Sequence, residues 1–331
     1  MPPSKSHAAA GSLVLSIASC VVYSVMSNVM VLTNRYLLGK KYYGFEEKFF
    51  VVAVQAAVAV LVLELAKMQK LISYDPYDAK VARQWAPVTF FFVAMLYTGM
   101  QATAGLPIHI VTVFKNVTNI IIVVGEWRVF GERVGGLVIV SLGVMLMGAV
   151  MSSYSDVGGK ATPSTLSGYF WMFLNCASTA AYVLYMRYAT SRSSLKISKF
   201  GMAFYNNLIS LPLLAPPLVL NGEAFTVWSN PLLGNFNFTM LLFISGVLGV
   251  GLNLASFWYA TVGGLNKIPT TFIGVLLLGE PLKPDTAIYV TFGMIGGILY
   301  GYAKFREGEA AKKRKAAAQD ALPQTTHDSK A

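Results

Sequence analysis

Apolar residues along this chain fall into long runs that are separated by short polar segments. A run of about 20 such residues is long enough to cross the hydrocarbon core of a bilayer as one helix. The pattern therefore predicts an all-α polytopic membrane protein with ten transmembrane helices. The predicted spans are 13–37, 48–67, 85–105, 107–129, 135–153, 165–189, 200–220, 238–258, 262–279 and 286–304.

Composition agrees with this prediction, since 55% of the 331 residues are hydrophobic, 12% are charged and the mean hydropathy is +0.56. The first apolar run, Leu13 to Leu38, is longer than a signal-peptide core and is interpreted as a span. Cys20 and Cys176 both fall inside spans and offer neither a disulfide framework nor a metal cluster. No catalytic or nucleotide-hydrolysing motif is found. We therefore expect neither an enzyme nor a cofactor.

The net charge of +11 concerns orientation rather than nucleic acid, because most lysines and arginines fall in loops and the tail. With ten spans, most of these residues lie on the side that carries both termini, so both termini are expected in the cytosol. The basic C-terminal tail is expected to touch anionic lipid. The expected divisions are a cytosolic tail at 1–12, two five-helix halves at 13–153 and 154–305, and a basic cytosolic tail at 306–331.

Two lysines lie inside predicted spans, Lys115 in the fourth and Lys267 in the ninth. Placing an ammonium there costs about 2.5–3.5 kcal/mol on insertion scales, so the charge requires a reason. One interpretation is a structural lysine that reaches the interface or pairs with a carboxylate. The other is a lysine that faces a water-filled cavity and binds an anion. Both begin the pattern Lys-x-x-Thr, at 115–118 and 267–270, which fits a repeat related by a pseudo-twofold axis with substrate bound at the interface.

Polar residues in other spans are further candidates for this site. Tyr205, Asn206 and Asn207 lie in the seventh span. An amide carries donors and an acceptor that match the edge of a base such as guanine, and an aromatic ring can stack on its face. The alternative is that the asparagines join neighbouring helices by hydrogen bonds. The remaining candidates are Tyr23, Asn28, Asn119 and Tyr259.

Two motifs together resemble the paired signature of the GDP-mannose transporters, nucleotide-sugar antiporters of the Golgi in the drug/metabolite transporter superfamily. They are Phe204-Tyr205-Asn206-Asn207 and Gly263-Gly264-Leu265-Asn266-Lys267. The family has alanine in place of Gly264, which is a mild departure. The segments Phe114-Lys115-Asn116-Val117-Thr118-Asn119-Ile120 and Val31-Leu32-Thr33-Asn34-Arg35 also resemble this family.

The resemblance implies ten transmembrane helices as two inverted five-helix repeats. It also implies exchange of GDP-mannose for GMP across the Golgi membrane. Carried over position by position, Asn206 and Asn207 would recognise guanine, while Gly263, Asn266 and Lys267 would meet the sugar and phosphate. Expected partners are GDP-mannose, GMP and the lipid bilayer, with a homodimer as a candidate assembly and no nucleic acid. The alternatives are transport of GDP-fucose or a sugar phosphate, or a membrane scaffold without transport activity.

One connection departs from the family. Its members usually have a Ser/Thr-rich segment of roughly ten residues between the eighth and ninth helices, whereas here 255–261 runs directly into the second motif. Losing ten helical residues removes about 15 Å of rise. Either the eighth helix ends early, or the ninth begins deeper in the membrane. Because a shortened connection could disable transport, a membrane scaffold without transport activity is retained as an alternative.

Overall fold

A computed structural model describes residues 25–39, 41–157, 163–192, 197–258 and 282–320. This part of the chain is almost entirely helical. The long helices are α1 (25–38), α2 (Lys48–Met68), α3 (Ala79–Gly105), α4 (Ile108–Gly125), α5 (Gly136–Val157), α6 (Pro163–Arg192), α7 (Lys199–Leu220), α8 (Phe236–Trp258) and α9 (Pro284–Asp320). A π-helical turn at Glu126–Phe130 extends α4, and short helical turns at Glu223–Thr226, Val227–Ser229 and Pro231–Gly234 join α7 to α8.

Six stretches of the described chain are long and apolar enough to cross a membrane. A helix suits this environment because it satisfies its own backbone hydrogen bonds where no water is available. The polytopic all-helical prediction is confirmed to this extent. The six stretches are Lys48–Met68, Ala79–Gly105, Ile108–Phe130, Gly136–Ser155, Lys199–Leu220 and Pro284–Ala310.

Helix ends differ from the predicted bounds at two places. α3 begins at Ala79 rather than 85, because the Asp78 side chain accepts a hydrogen bond from the Lys80 N–H and caps the first turn. α9 continues past 304 to Asp320, so the beginning of the basic tail is helical. The other helix ends that the structure describes lie within four residues of the predicted bounds, and the connection between α3 and α4 has two residues, Leu106 and Pro107, where the prediction left one.

The helices pack as a connected bundle. α3 lies against α6, α2 against α7 and α8, and α4 against α5 and α6, while α5 lies along α9. Glycines permit the last contact, since a Cβ on Gly148 would lie 2.5 Å from the Cα of Gly293. Close approach of backbones at small residues is how membrane helices gain packing energy.

Two predicted spans are not fully covered by the structure. Residues 13–24 of the first span and the whole of the ninth, 262–279, lie outside the described residues. The connection at 255–261 ends outside them as well. The ten-helix inverted repeat and the division into two halves therefore stay predictions.

Candidate substrate-binding site

Lys115 lies in the middle of α4 and its side chain is exposed, although the neighbouring Val113 and Asn116 are buried. The exposed apolar Val124 lies nine positions after Lys115. At about 100° per residue, this spacing places the two residues on opposite faces of α4. Lys115 therefore faces the inside of the bundle, where exposure indicates a space large enough for water. Within the described chain no carboxylate forms an ion pair with it.

Asn119 lies one helical turn from Lys115 on the same face, because residues four apart in a helix are neighbours. It is half-buried in the structure. Asn116, which directly follows Lys115, points towards α9: its Nδ2 donates to the Gly293 carbonyl of that helix at 3.2 Å. The structure thus places Lys115 and Asn119 together on one polar face of α4, while Asn116 joins two helices.

Asn206 of α7 is fully buried, and both ends of its amide are occupied. Its Oδ1 accepts from the Trp85 Nε1–H at 2.8 Å, and its Nδ2 donates to the Tyr182 hydroxyl at 3.0 Å. Trp85 belongs to α3 and Tyr182 to α6. Asn206 therefore joins three helices, which is the arrangement expected of a structural asparagine in a membrane.

Asn207 and Tyr205 have different surroundings. Among the described residues, the Asn207 Nδ2 donates within its own helix, to the Ala203 carbonyl at 2.8 Å, and 5% of the residue is exposed. The Tyr205 hydroxyl accepts from the Asp78 N–H at 2.9 Å and so fixes α7 to the start of α3. Of the two motif asparagines, Asn206 bonds to other helices, whereas the described bond of the Asn207 amide stays within α7.

α6 contacts both the backbone of α4 beside Lys115 and the side chain of Asn206, at different positions along its length. Cys176 of that helix donates to the Phe114 carbonyl beside Lys115 at 3.3 Å, whereas Tyr182 receives the Asn206 amide. These two α6 residues are six positions apart, which is about 9 Å along the helix axis. The backbone of α4 beside Lys115 and the Asn206 amide therefore contact α6 at different depths.

The other predicted site residues are placed as follows. Asn28 is buried in α1. Five lie outside the described residues, namely Tyr23, Tyr259, Gly263, Asn266 and Lys267. Among the described residues no cluster of histidine, cysteine, aspartate or glutamate could hold a metal ion.

A cluster of charges at the end of α4 was missed by sequence reasoning. Glu126 accepts from Arg187 of α6 at 2.8 Å and from Lys304 of α9 at 3.0 Å. Arg187 also pairs with Glu132, and this hydrogen bond lowers the pKa of that carboxyl below its usual value. Burial opposes the shift, while the charges of Arg187 and Lys304 add to it. An acidic residue inside the predicted span 107–129 was the available signal. These pairs join α4 to two helices that the sequence assigned to the other half.

Polar residues also meet at the opposite end of the bundle. The Lys48 Nζ donates to the Gln101 Oε1 at 2.5 Å, and the Gln101 Nε2 donates to the Tyr97 hydroxyl at 2.6 Å. Nearby, Arg35 donates to the Thr103 carbonyl. These bonds connect α1 and α2 to the last turns of α3.

The fold is shared with a protein of known crystal structure. The superposition has a TM-score of 0.57 and covers 86% of this chain and 97% of that chain, at 15% sequence identity. No protein-family model matches the sequence. The fold and its membrane-length helices define a multi-pass membrane protein.

Sequence relatives identify the family. The chain is 34% identical over 301 residues to the GDP-mannose transporter of Schizosaccharomyces pombe, covering 87% of this chain and 86% of that protein. It is 32% identical over 348 residues to the GDP-mannose transporter of Aspergillus niger, covering 97% and 89%. The chain belongs to the GDP-mannose transporter family. These relatives are named transporters rather than enzymes, which confirms the expectation of a protein without catalytic activity.

Proposed function

We propose that this protein is a secondary antiporter that brings GDP-mannose into the Golgi lumen in exchange for GMP. Two five-helix halves would alternate the access of one central site between the two sides of the membrane. Both termini would lie in the cytosol, because most lysines and arginines then also lie there. The family relationship supports the class of substrate, and the interior of the bundle supports how it is bound.

The observation that carries the proposal is Lys115, a solvent-accessible residue on the inner face of α4 that is deeply surrounded by protein. A cation inside a membrane protein marks a substrate or ion pathway when no described carboxylate neutralises it. Lysine binds phosphate as a point charge. A nucleotide diphosphate supplies the countercharge that this position requires, and Asn119 on the same face adds an amide.

Recognition of the base is assigned to α7. Asn207 would meet the guanine edge directly, since its amide can leave the Ala203 carbonyl without breaking a contact between helices. Asn206 would hold Asn207 in position through Trp85 and Tyr182. Cys176 and Tyr182, which contact α4 and α7, are about 9 Å apart along α6, and this spacing supports a base subsite at a different depth from the phosphate subsite.

The family resemblance supplies the other half of the site. Lys267, Asn266 and Gly263 would meet the sugar and the second phosphate charge. Tyr23, Asn28, Tyr205 and Tyr259 would complete the walls of the cavity. Two lysines from opposite halves suit a substrate that carries two phosphates, because binding then draws both halves together.

The test is uptake of labelled GDP-mannose by proteoliposomes that are preloaded with GMP. Lys115→Gln should reduce uptake at least tenfold, and Lys115→Arg should retain part of it because the charge remains. Lys41→Gln is the matched control, since Lys41 is exposed in the connection between α1 and α2, outside the predicted spans, and is not assigned to the site. Full exchange by Lys115→Gln would overturn the assignment of the phosphate subsite.

Competing nucleotides distinguish the alternatives. We expect GDP-mannose and GMP to inhibit uptake, and UMP and CMP to have little effect. Stronger inhibition by GDP-fucose than by GDP-mannose would indicate that GDP-fucose is the transported substrate. Absence of uptake together with no stabilisation by any guanine nucleotide would support the scaffold alternative, since a ligand that binds only the folded protein must raise its stability.

A further inference from the structure

An apolar groove runs along the outer surface between α4 and α5, on the face of α4 opposite Lys115. It encloses about 750 Å³. Its walls include Ile120 and Val124 of α4 and Ile139 and Leu146 of α5. Val124 is 50% exposed and Ile139 is 59% exposed, so the protein itself leaves these side chains uncovered. Both helices are membrane spans, and hydrocarbon rather than water must fill the groove.

One end of the groove has a different chemistry. Arg133, in the connection between α4 and α5, is exposed there, and among the described residues it forms no ion pair. The neighbouring Glu132 is already paired with Arg187. Trp127 also lines this end and is half exposed, which is typical of an aromatic anchor at the membrane interface. The groove thus has a cation at the level of lipid head groups and apolar walls below it.

The depth of the groove decides between two occupants. From the start of α5 at Gly136 to Leu146 is a rise of about 15 Å, which is half of a hydrocarbon core of about 30 Å. A lipid acyl chain occupies one leaflet and matches this depth. A transmembrane helix from a second copy would need an apolar stripe through both leaflets.

We propose that the groove binds one glycerophospholipid with an anionic head group. Its phosphate lies against Arg133, and one acyl chain runs down the groove past Gly143. A guanidinium presents several donors to phosphate oxygens in a fixed geometry, which favours this contact over one with a neutral surface. The lipid would hold α4 against α5, on the side of α4 that faces away from the candidate substrate site.

Glycines provide a matched pair of variants. A Cβ on Gly143 meets nothing within 4 Å, so Gly143→Leu can place its side chain in the groove without moving the backbone. A Cβ on Gly301 of α9 also meets nothing within 4 Å, and Gly301 shares its helix face with the exposed Ile298 and Phe305. Gly301→Leu therefore adds the same side chain to the outer surface elsewhere. Leucine favours helix over glycine at both positions.

The experiment is native mass spectrometry of the full-length protein, purified in detergent and mixed with phosphatidylserine or phosphatidylcholine. We expect one retained phosphatidylserine per chain, at least tenfold less for Gly143→Leu, and wild-type retention for Gly301→Leu. Arg133→Gln should lose the preference for phosphatidylserine while keeping the groove. Thermal unfolding of each variant verifies that it is folded.

Equal retention by wild type and Gly143→Leu would overturn the proposal, and so would an unchanged head-group preference in Arg133→Gln. A second copy as the occupant would be shown by a wild-type dimer that Gly143→Leu converts to monomer with no change in bound lipid. If Gly143→Leu does not fold, the comparison of Arg133→Gln with wild type still decides the head-group contact.

Discussion

Replacing Asn206 by leucine tests whether this residue holds the bundle together. The substitution removes two hydrogen bonds, from the Trp85 indole and to the Tyr182 hydroxyl, and both partner side chains are buried. In a soluble protein each orphaned group would cost about 1–3 kcal/mol. Bonds between membrane helices are worth less, about 0.6 kcal/mol on average and about 1.7 at most, because the unfolded chain in the membrane also finds partners. We therefore expect Asn206→Leu to lose about 1–3 kcal/mol in total.

Asn207→Leu is the control. Its one described hydrogen bond goes to the Ala203 carbonyl of the same helix, so no second helix loses a partner. We expect a change of about 0.5 kcal/mol or less, as for substitutions that leave no buried group orphaned. Exchange activity should show the reverse order, because Asn207 is assigned to the base and Asn206 to its positioning.

The assay is unfolding in mixed micelles of increasing SDS content, followed by tryptophan fluorescence, to which Trp85 itself contributes. A double-mutant cycle with Tyr182→Phe isolates one bond: the cost of Asn206→Leu should fall by about 0.6–1.7 kcal/mol in that background. Equal stability of the Asn206 and Asn207 variants, or zero coupling to Tyr182, would refute the assignment of Asn206 as the residue that joins three helices.

Three further outcomes are expected. Gly148→Ala should destabilise the protein by about 1–3 kcal/mol, because its methyl group meets the backbone of α9, whereas Gly143→Ala should not; equal midpoints in SDS would contradict this. Glu126→Gln should cost about 1–2 kcal/mol, between the values for exposed and buried pairs, and an unchanged midpoint at low salt would speak against the ion pairs. Arg187 lowers the pKa of Glu132, so the stabilisation from this ion pair is present above the unfolded-state pKa and is lost as the pH falls through the lowered folded value. Glu132→Gln should therefore reduce the loss of unfolding free energy at acid pH in a stability titration.

Much of the bundle could be predicted because helix positions follow from apolar runs alone. The spans at 48–67 and 107–129 agree with α2 and with α4 and its terminal turn. The start of α3 was placed too late because the polar first turns of that helix interrupt the apolar pattern, and the Asp78 cap that defines them is a local contact. Hydropathy cannot distinguish a helix that protrudes from the membrane from a loop.

The contacts of the candidate site could not be predicted in the same way. Asn206 was recognised as a polar residue inside a span, but its partners lie 121 and 24 positions away, on helices whose adjacency the sequence does not show. For the same reason the negative charge of Glu126 was visible while its two cations were not. Lys115 could be selected as a candidate from the sequence because a charge inside a predicted span is costly whatever its neighbours are.

The glycine contact between α5 and α9 has a consequence for how the protein would move. Because the backbones of α5 and α9 are in contact at Gly148 and Gly293, no side chains lie between them there that could change rotamer and let the helices slide. Rocking of two halves would then use this seam as its axis, with displacement growing with distance from it. Spin labels placed on either side of the seam should report a constant separation during exchange, while a pair of labels on α3 of the first predicted half and α8 of the second should report most of the change.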